Sequence, residues 1–499
     1  MRGTREDVFA VVDNWIEDFE APNIFWIRGF PGVGKSAIAS TLIQRLRSLN
    51  RLGSSFIFDR AKSTTATPNA LWRTVAYDLA RLYPTVRKVV VVRLDNEEVD
   101  VDSSNIKNIF RNLIEAPLLA SDDIPDDIPI GRLPVIVVDA LDECGGRNSR
   151  QSMHRDGLIS TLKRWALLPR KFKLVVTSRG DDDIARVLTP ISEVHDLSSG
   201  HEVNTHASND IRLFLLSRFA KIVKRYSGSL PSDWPGAEVV DELTNRAAGL
   251  FIWAETLIQF VNEGEPNIQL RQILQDGVGL GDLALLYARV LEVSFRLSSS
   301  EVFSSFQAIA GTLIFAKRPM ARSEYVELLS IEPSMLDYVL KGLRSVMSQG
   351  DELHFNHQSF VDFLLDSGKC PRPFYIVETP QHQNLTGSSL HIMVKRLHFD
   401  ICQLPTSYVR NNQVQDLESR IEEFITAPLA YACRFWIDHL RMVPYHQEMF
   451  DDIKSFIYEN LLYWFEVLSY TNEIHYAAPM LTSLLEWCKV RVVSKFIQI

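Results

Sequence analysis

Apolar and polar positions change period several times along the chain. Val8, Val11, Val12, Trp15, Ile16 and Phe19 recur at helical spacing behind Thr4 and Asp7, a capping-box-like start, and Ala21-Pro22-Asn23 ends the run. Residues 24–28 form a short apolar run that suits a buried strand. Residues 29–34 break the pattern, and Ile38, Leu42, Ile43, Leu46 and Leu49 restore it on one side of a helix. The alternation continues with a strand at 54–58, helices at 69–82 and 106–114, and an acidic, proline-rich stretch at 121–132 that reads as a surface loop. A strand at 134–139, a helix carrying Leu158, Ile159, Leu162 and Trp165, and a strand at 173–178 follow. Strands that are apolar on both faces and alternate with helices imply a parallel sheet covered on both sides.

Past residue 205 the strand signal fades. Helical spacing marks 211–222, 237–261, 284–295 and 300–315, with a glycine-rich break at 277–281 as a candidate hinge. Two short helices (322–329 and 334–346), a strand at 353–355 and a helix at 359–365 suit a winged-helix unit. Residues 369–384 read as a proline-punctuated linker, and the remainder is helical and rich in aromatics. The expected division is an NTPase-like α/β domain over 1–205, a helical subdomain over 206–282, a winged-helix-like domain over 283–368 and a C-terminal helical region over 369–499. No fixed-period repeat is evident.

Composition narrows the class. With 46% apolar and 23% charged residues the 499-residue chain is ordinary globular material, long enough for several cores. Its formal charge of −9 argues against general binding to nucleic acid or anionic membranes. Five scattered cysteines without a CxxC fit a reducing compartment, and no run of about 18 apolar residues is present, so a cytoplasmic protein is expected.

Residues 29–36, GFPGVGKS, fit G-x-x-x-x-G-K-[ST] between a predicted strand and a predicted helix. Gly29, Gly32 and Gly34, with Pro31 and Val33 between them, let backbone N–H groups curl into a concave nest for phosphate oxygens. The helix opening at Lys35, Ser36 and Ala37 aims its positive end at the same anion. Lys35 is expected to reach the β and γ phosphates and Ser36 to ligate Mg²⁺. A chance match in a chain this long is on the order of one in fifty. Asp139 ends the strand VIVVD, where α/β sheets hold ligands, and suits the Mg²⁺ shell; by itself it reads equally as a helix cap. Glu143, assisted by Asp142, is placed to deprotonate an attacking water. Arg179 ends the strand KLVVTS and either meets a γ-phosphate or is a solvated arginine. His357, alone between a short strand and a helix, reads first as a structural residue, and Leu250, Phe251, Ile252 and Trp253 read as core packing.

Taken in order, GTRE (3–6), the three nucleotide motifs, GLFIWA (249–254), HFNHQSFVDFL (354–364) and LAYACRFWIDHL (429–440) resemble the NACHT ATPases of the signal-transducing STAND class, in their fungal, nephrocystin-type branch. The resemblance implies an α/β P-loop NTPase with a parallel sheet of ASCE type, then a helical subdomain, a winged-helix domain and a C-terminal all-α region. It also implies ATP/ADP with Mg²⁺ as cofactors, Thr4 and Arg5 against the adenine, Arg179 as sensor and His357 on the ADP β-phosphate. Ala140 and Leu250 stand where that family often has glycine and proline.

The expected function is a slow ATPase switch: ADP locks a closed form, and exchange for ATP opens it to homo-oligomerise and engage protein partners, as in innate-immunity or heterokaryon-incompatibility signalling. The alternatives are a constitutive AAA+-like ATPase and a non-hydrolysing nucleotide-bound scaffold. A core-only protein or a gene truncated at both ends is expected, because neither an effector domain nor a repeat sensor is recognisable.

Overall fold

Apolar runs too short to be helices become strands where helices cover both faces, and this rule orders the first half of the chain. The computed structural model describes residues 3–59, 66–99, 105–122, 134–144, 149–200, 203–226, 228–275, 281–348, 350, 352–406, 408 and 410–496. These form two compact units, Met1–Leu286 with His357–Ser359, and Tyr287–Asn356 with Phe360–Ile499.

In the first unit α1 (Glu6–Glu17) precedes β1 (Ile24–Gly29), α2 (Lys35–Ser48), β2 (Leu52–Ile57), α3 (Pro68–Leu82) and α4 (Pro84–Asp95). Then come α5 (Ile106–Phe110), one π-helical turn over Arg111–Glu115, α6 (Ala116–Asp122), β3 (Val135–Asp139), α7 (Ser149–Trp165), β4 (Lys173–Ser178), α8 (Asp182–Leu188) and β5 (Glu193–Leu197). The five strands are parallel in the order β2-β3-β4-β1-β5. The α/β P-loop fold is therefore as expected, with β4 between the loop-bearing β1 and the acid-ended β3. Every residue of β3 and β4 is buried, which is why both read as continuous apolar runs. A stack of Trp72 on Trp165 (5.9 Å between centroids) anchors one face, and the Trp72 indole N–H donates to Thr161 Oγ1 at 2.9 Å.

Helices α9 (Thr205–Arg225), α10 (Ala237–Ala247), α11 (Phe251–Glu263), α12 (Pro266–Gln275) and the start of α13 (Leu283–Ser294) complete this unit. The single helix expected over 237–261 is two. Ala248 (φ 44°) and Gly249 (φ 80°) both adopt left-handed backbone, and a Cβ on Gly249 would sit 2.9 Å from the Ser198 carbonyl oxygen. The expected cap of α1 is also absent. Arg5, not Thr4, is the N-cap residue; it is left-handed (φ 60°) and no side chain caps the helix. α4, α8, α12 and β5 are additions to the expected elements. β5 lies at the sheet edge with three half-buried positions and an exposed Asp196, so it lacks the apolar signature. Most of the acidic loop at 121–132 and of the glycine-rich break at 277–281 lies outside the described residues.

The second unit holds the rest of α13, α14 (Ser300–Phe315), α15 (Arg322–Leu329), α16 (Pro333–Leu343), most of α17 (Gln358–Leu364), α18 (Glu378–Arg396), α19 (Leu417–Phe424), α20 (Ala427–Leu440), α21 (Gln447–Tyr470) and α22 (Ala477–Phe496). An antiparallel ribbon pairs β6 (Met320–Ala321) with β7 (Glu352–Leu353). The expected linker at 369–384 is instead packed structure. Phe374 lies within 5.2–5.7 Å of the rings of Phe295, Phe303 and Phe306, the Ile376 N–H donates to the Leu364 carbonyl, and α18 starts at Glu378. Prolines interrupted the periodicity without removing the apolar residues that the core uses. All five cysteines are free thiols. Among the described residues no helix is long and apolar enough to cross a membrane.

Between α18 and α20 lies a buried polar chain. His439 Nε2 is 2.7 Å from the Tyr431 hydroxyl, and His439 Nδ1 is 2.9 Å from His382 Nδ1. Burial, reinforced by the Lys317 ammonium, pushes His382 down to about 4 and His439 well below its ordinary range. A histidine held neutral by the fold contributes stability that is complete above the unfolded value near 6.5 and lost as pH falls toward the folded value. The second unit should therefore lose roughly 3 kcal/mol between pH 6.5 and pH 4 from His382 alone. Denaturant melts of the wild type and of His382→Gln across that range test this; equal slopes would remove the assignment.

Candidate functional site

β1 ends at Gly29 and α2 begins at Lys35, so residues 30–34 form the loop between a buried strand and a helix N-terminus. Gly32 (φ 83°) and Gly34 (φ 97°) adopt left-handed backbone. A Cβ on Gly32 would lie 1.9 Å from Ile252 Cγ2, so only glycine lets α11 approach this loop. The loop's carbonyls have protein partners. Lys35 Nζ donates to Gly29 O (2.8 Å) and Phe30 O (3.0 Å), the Ile252 N–H to Gly32 O (3.1 Å), Arg5 Nη2 to Val33 O (2.8 Å) and the Ile38 N–H to Gly34 O (3.0 Å). Burial pulls the Lys35 ammonium below its ordinary range, and the first opposing influence is Asp142.

The loop borders a cavity of about 520 Å³, mid-range for small-molecule sites, and every residue lining it belongs to the first unit. Of the residues singled out from the sequence, Thr4, Arg5, Pro31, Gly32, Gly34, Lys35, Ser36 and Ala37 line it. Asp142, Glu143, Arg179 and His357 line it as well. Gly29, Val33 and Asp139 do not. Val33 is fully buried, and its Cγ2 lies 2.9 Å from where a Cβ on Gly29 would sit.

Asp139 is 2% exposed, and its carboxylate accepts from the Thr177 hydroxyl and is hydrogen-bonded to Ser36. Burial nevertheless raises its pKa, the hydrogen bonds and Lys35 only partly offsetting that. Thr177 Oγ1 also accepts the Ala140 N–H at 3.0 Å, which secures the left-handed turn at Ala140 (φ 55°) between β3 and the 3₁₀ turn Leu141–Glu143. A hydroxyl and a carboxylate in contact suit a hard divalent cation such as Mg²⁺. Among the described residues no group of three or more His, Cys, Asp or Glu converges on a metal.

Asp142 is 3% exposed, accepts the Arg179 N–H at 3.0 Å on Oδ1, and pairs with Arg179 Nε at 3.1 Å on Oδ2. The acid and the expected sensor thus form one ion pair beside Lys35. His357 Nδ1 accepts the Ser359 N–H at 3.1 Å and lies 2.7 Å from the Ser359 hydroxyl.

The pattern reading missed one wall. Phe214, Arg218 and Lys221 fall at i, i+4 and i+7 on α9 and line the cavity with Phe251, Ile252 and Glu255 of α11. Arg218 Nη2 meets Glu255 Oε2 at 3.2 Å, and the guanidinium lies 5.0 Å from the Phe214 ring centre. Leu250 and Trp253 are core residues as read, whereas their neighbours Phe251 and Ile252 are half-buried at the cavity. The signal available was a basic pair on the otherwise apolar face of α9. Arg5 ties this wall to the loop: its N–H donates to Asp210 at 3.0 Å and its guanidinium lies 5.3 Å from the Phe251 ring centre.

Residues 3–179 match the family described as Nephrocystin 3, N-terminal. The chain is 25% identical over 489 residues to the vegetative incompatibility protein HET-E-1 of Podospora anserina; the match takes in 91% of this chain and 34% of that protein. Among solved structures, the signal transduction ATPase with numerous domains (STAND) from Pyrococcus horikoshii, which has a tetratricopeptide repeat sensor, aligns with 99% of this chain and 65% of its own, at 11% identity and a TM-score of 0.40. A Drosophila ORC structure bound to DNA aligns with 74% of this chain and 97% of its own, at 10% identity and a TM-score of 0.29. The chain thus spans about a third of its curated relative.

A buried carboxylate whose pKa is raised opposes folding while ionised, and this cost vanishes as pH falls and the group protonates. Asp139→Asn should therefore raise the melting temperature of nucleotide-free protein at pH 7, with a gain that shrinks toward acid pH, while abolishing any Mg²⁺ dependence of nucleotide affinity. Calorimetric melts across pH measure this; a variant that melts lower at pH 7 would refute it.

Proposed function

We propose that this chain, a NACHT-type STAND NTPase of fungal type, is a nucleotide-operated switch that binds ADP or ATP at the 29–36 loop and hydrolyses ATP slowly. One observation carries the reading: the phosphate loop, the acids after β3, Arg179 and His357 all line the same cavity. Lys35 and the α2 N-terminus neutralise the phosphates, while Thr4, Arg5 and the α9–α11 wall enclose the nucleoside. Mg²⁺, when bound at Ser36 and Asp139, supplies charge neutralisation at the phosphate oxygens. Glu143 takes the proton of the attacking water, and Arg179, held by Asp142, registers the γ-phosphate.

In this reading His357 donates from Nε2 to the terminal phosphate of ADP, so its segment joins the nucleotide site only in the closed form. Exchange for ATP removes that contact, and the opened, winged-helix-bearing chain self-associates and engages protein partners. Moving such an equilibrium from 1:99 to 99:1 requires about 5.5 kcal/mol of differential binding. A hydrogen bond to a charged group supplies about 1.5–3 kcal/mol of it.

Freshly purified protein should release stoichiometric ADP on denaturation, and Lys35→Ala should release none. His357→Ala should speed ADP dissociation about tenfold or more and shift sedimentation toward larger species. Rapid turnover with exchangeable nucleotide would replace the switch by a constitutive ATPase. Bound nucleotide that is never hydrolysed would replace it by a scaffold.

A further inference from the structure

Arg155, on α7, belongs to none of the nucleotide motifs and does not line the cavity. Its guanidinium nevertheless makes five hydrogen bonds to residues beside the site. Nη1 donates to the carbonyl oxygens of Asp142 (2.8 Å) and Cys144 (3.2 Å), the residues on either side of Glu143. Nε and Nη2 donate to the two carboxylate oxygens of Asp183 at 2.7 and 3.1 Å, and Nη2 also reaches Asp181 at 3.1 Å. Asp181 and Asp183 lie just past Arg179, at the start of α8.

One planar cation therefore fastens the turn after β3 to the segment after β4. On the cavity side the Asp142–Arg179 pair fastens the same two segments a second time. The Arg155 side chain is only 15% exposed, so these bonds compete little with water. Two carbonyls held by one guanidinium, one immediately before Glu143 and one a residue after it, fix the backbone of the turn that carries Glu143.

We propose that Arg155 is a positioning residue: by clamping the backbone of the Asp142–Cys144 turn to the Asp181–Asp183 segment, it holds the Glu143 carboxylate and Arg179 in mutual register for hydrolysis. This rests on the reading of Glu143 as the group that accepts the water's proton. It makes α7, a helix remote from the phosphate loop, a determinant of turnover and leaves nucleotide binding to other residues.

Arg155→Lys keeps the charge but loses the planar fork that serves four acceptor groups. ADP affinity by calorimetry should stay within about twofold of wild type, because the loop's own bonds are untouched. Single-turnover ATP hydrolysis should fall about ten- to a hundredfold, the scale of an ångström-sized misplacement. In a Glu143→Gln background, Arg155→Lys should cause no further loss. Wild-type hydrolysis in Arg155→Lys, an equal further loss in the Glu143→Gln background, or affinity falling in step with rate would each overturn the proposal. If Arg155→Lys does not fold, the Asp181→Asn/Asp183→Asn pair, at the more exposed end of the clamp, carries the same expectations. A wild type that binds nucleotide but never hydrolyses it would remove both the Glu143 role and the clamp's purpose, whereas full activity in the variants removes only the clamp.

Discussion

The site depends on how the carbonyl groups of the 29–34 loop are disposed of. A peptide unit points its C=O and N–H in opposite directions, so donors that fix the carbonyls of a loop also fix where its amides point. Gly29, Phe30, Gly32, Val33 and Gly34 all have their carbonyls bonded, by Lys35, Ile252, Arg5 and Ile38. Two of these donors come from outside the strand–loop–helix motif. Ile252 supplies one from the first turn of α11 and Arg5 the other from the N-terminus of α1. The conformation of the loop is therefore a property of the whole first unit, and a glycine at position 32 is required for α11 to approach it.

The charges around the cavity are arranged for a ligand more than for stability. Asp139 is buried with its pKa raised, and Lys35 is buried with its pKa lowered, so burial disfavours the charged form of each. Such frustration is characteristic of sites whose electrostatics are completed by what they bind. Around them the fixed scaffold is well satisfied. Thr177 serves both Asp139 and the Ala140 N–H, Asp142 fixes Arg179, and Arg155 braces the turn from behind. The second unit applies the same economy in a different setting: its buried histidines pair with each other and with Tyr431, so their polar atoms meet without a charge.

Sequence by itself determined the elements whose signal is local. The parallel sheet was legible because buried strands are apolar throughout and glycine punctuates the phosphate loop. Asp139, Asp142, Glu143 and Arg179 were legible as a group because Asp139 ends a strand and the others directly follow strands, at the edge where α/β sheets gather ligands. Tertiary structure decided the rest, for three physical reasons. A helix face that lines a cavity has the same apolar period as one that lines a core, so Phe251 and Ile252 could not be told from Leu250 and Trp253. A backbone forced left-handed by a distant contact leaves no propensity signal, as at Arg5, Ala140 and Ala248, and so the α1 cap and the break before α11 went unread. Hydrogen bonds between residues far apart in the chain, such as Arg155 to the carbonyls beside Glu143 or the Asp142–Arg179 pair, have no periodicity. Only folding brings those partners within reach.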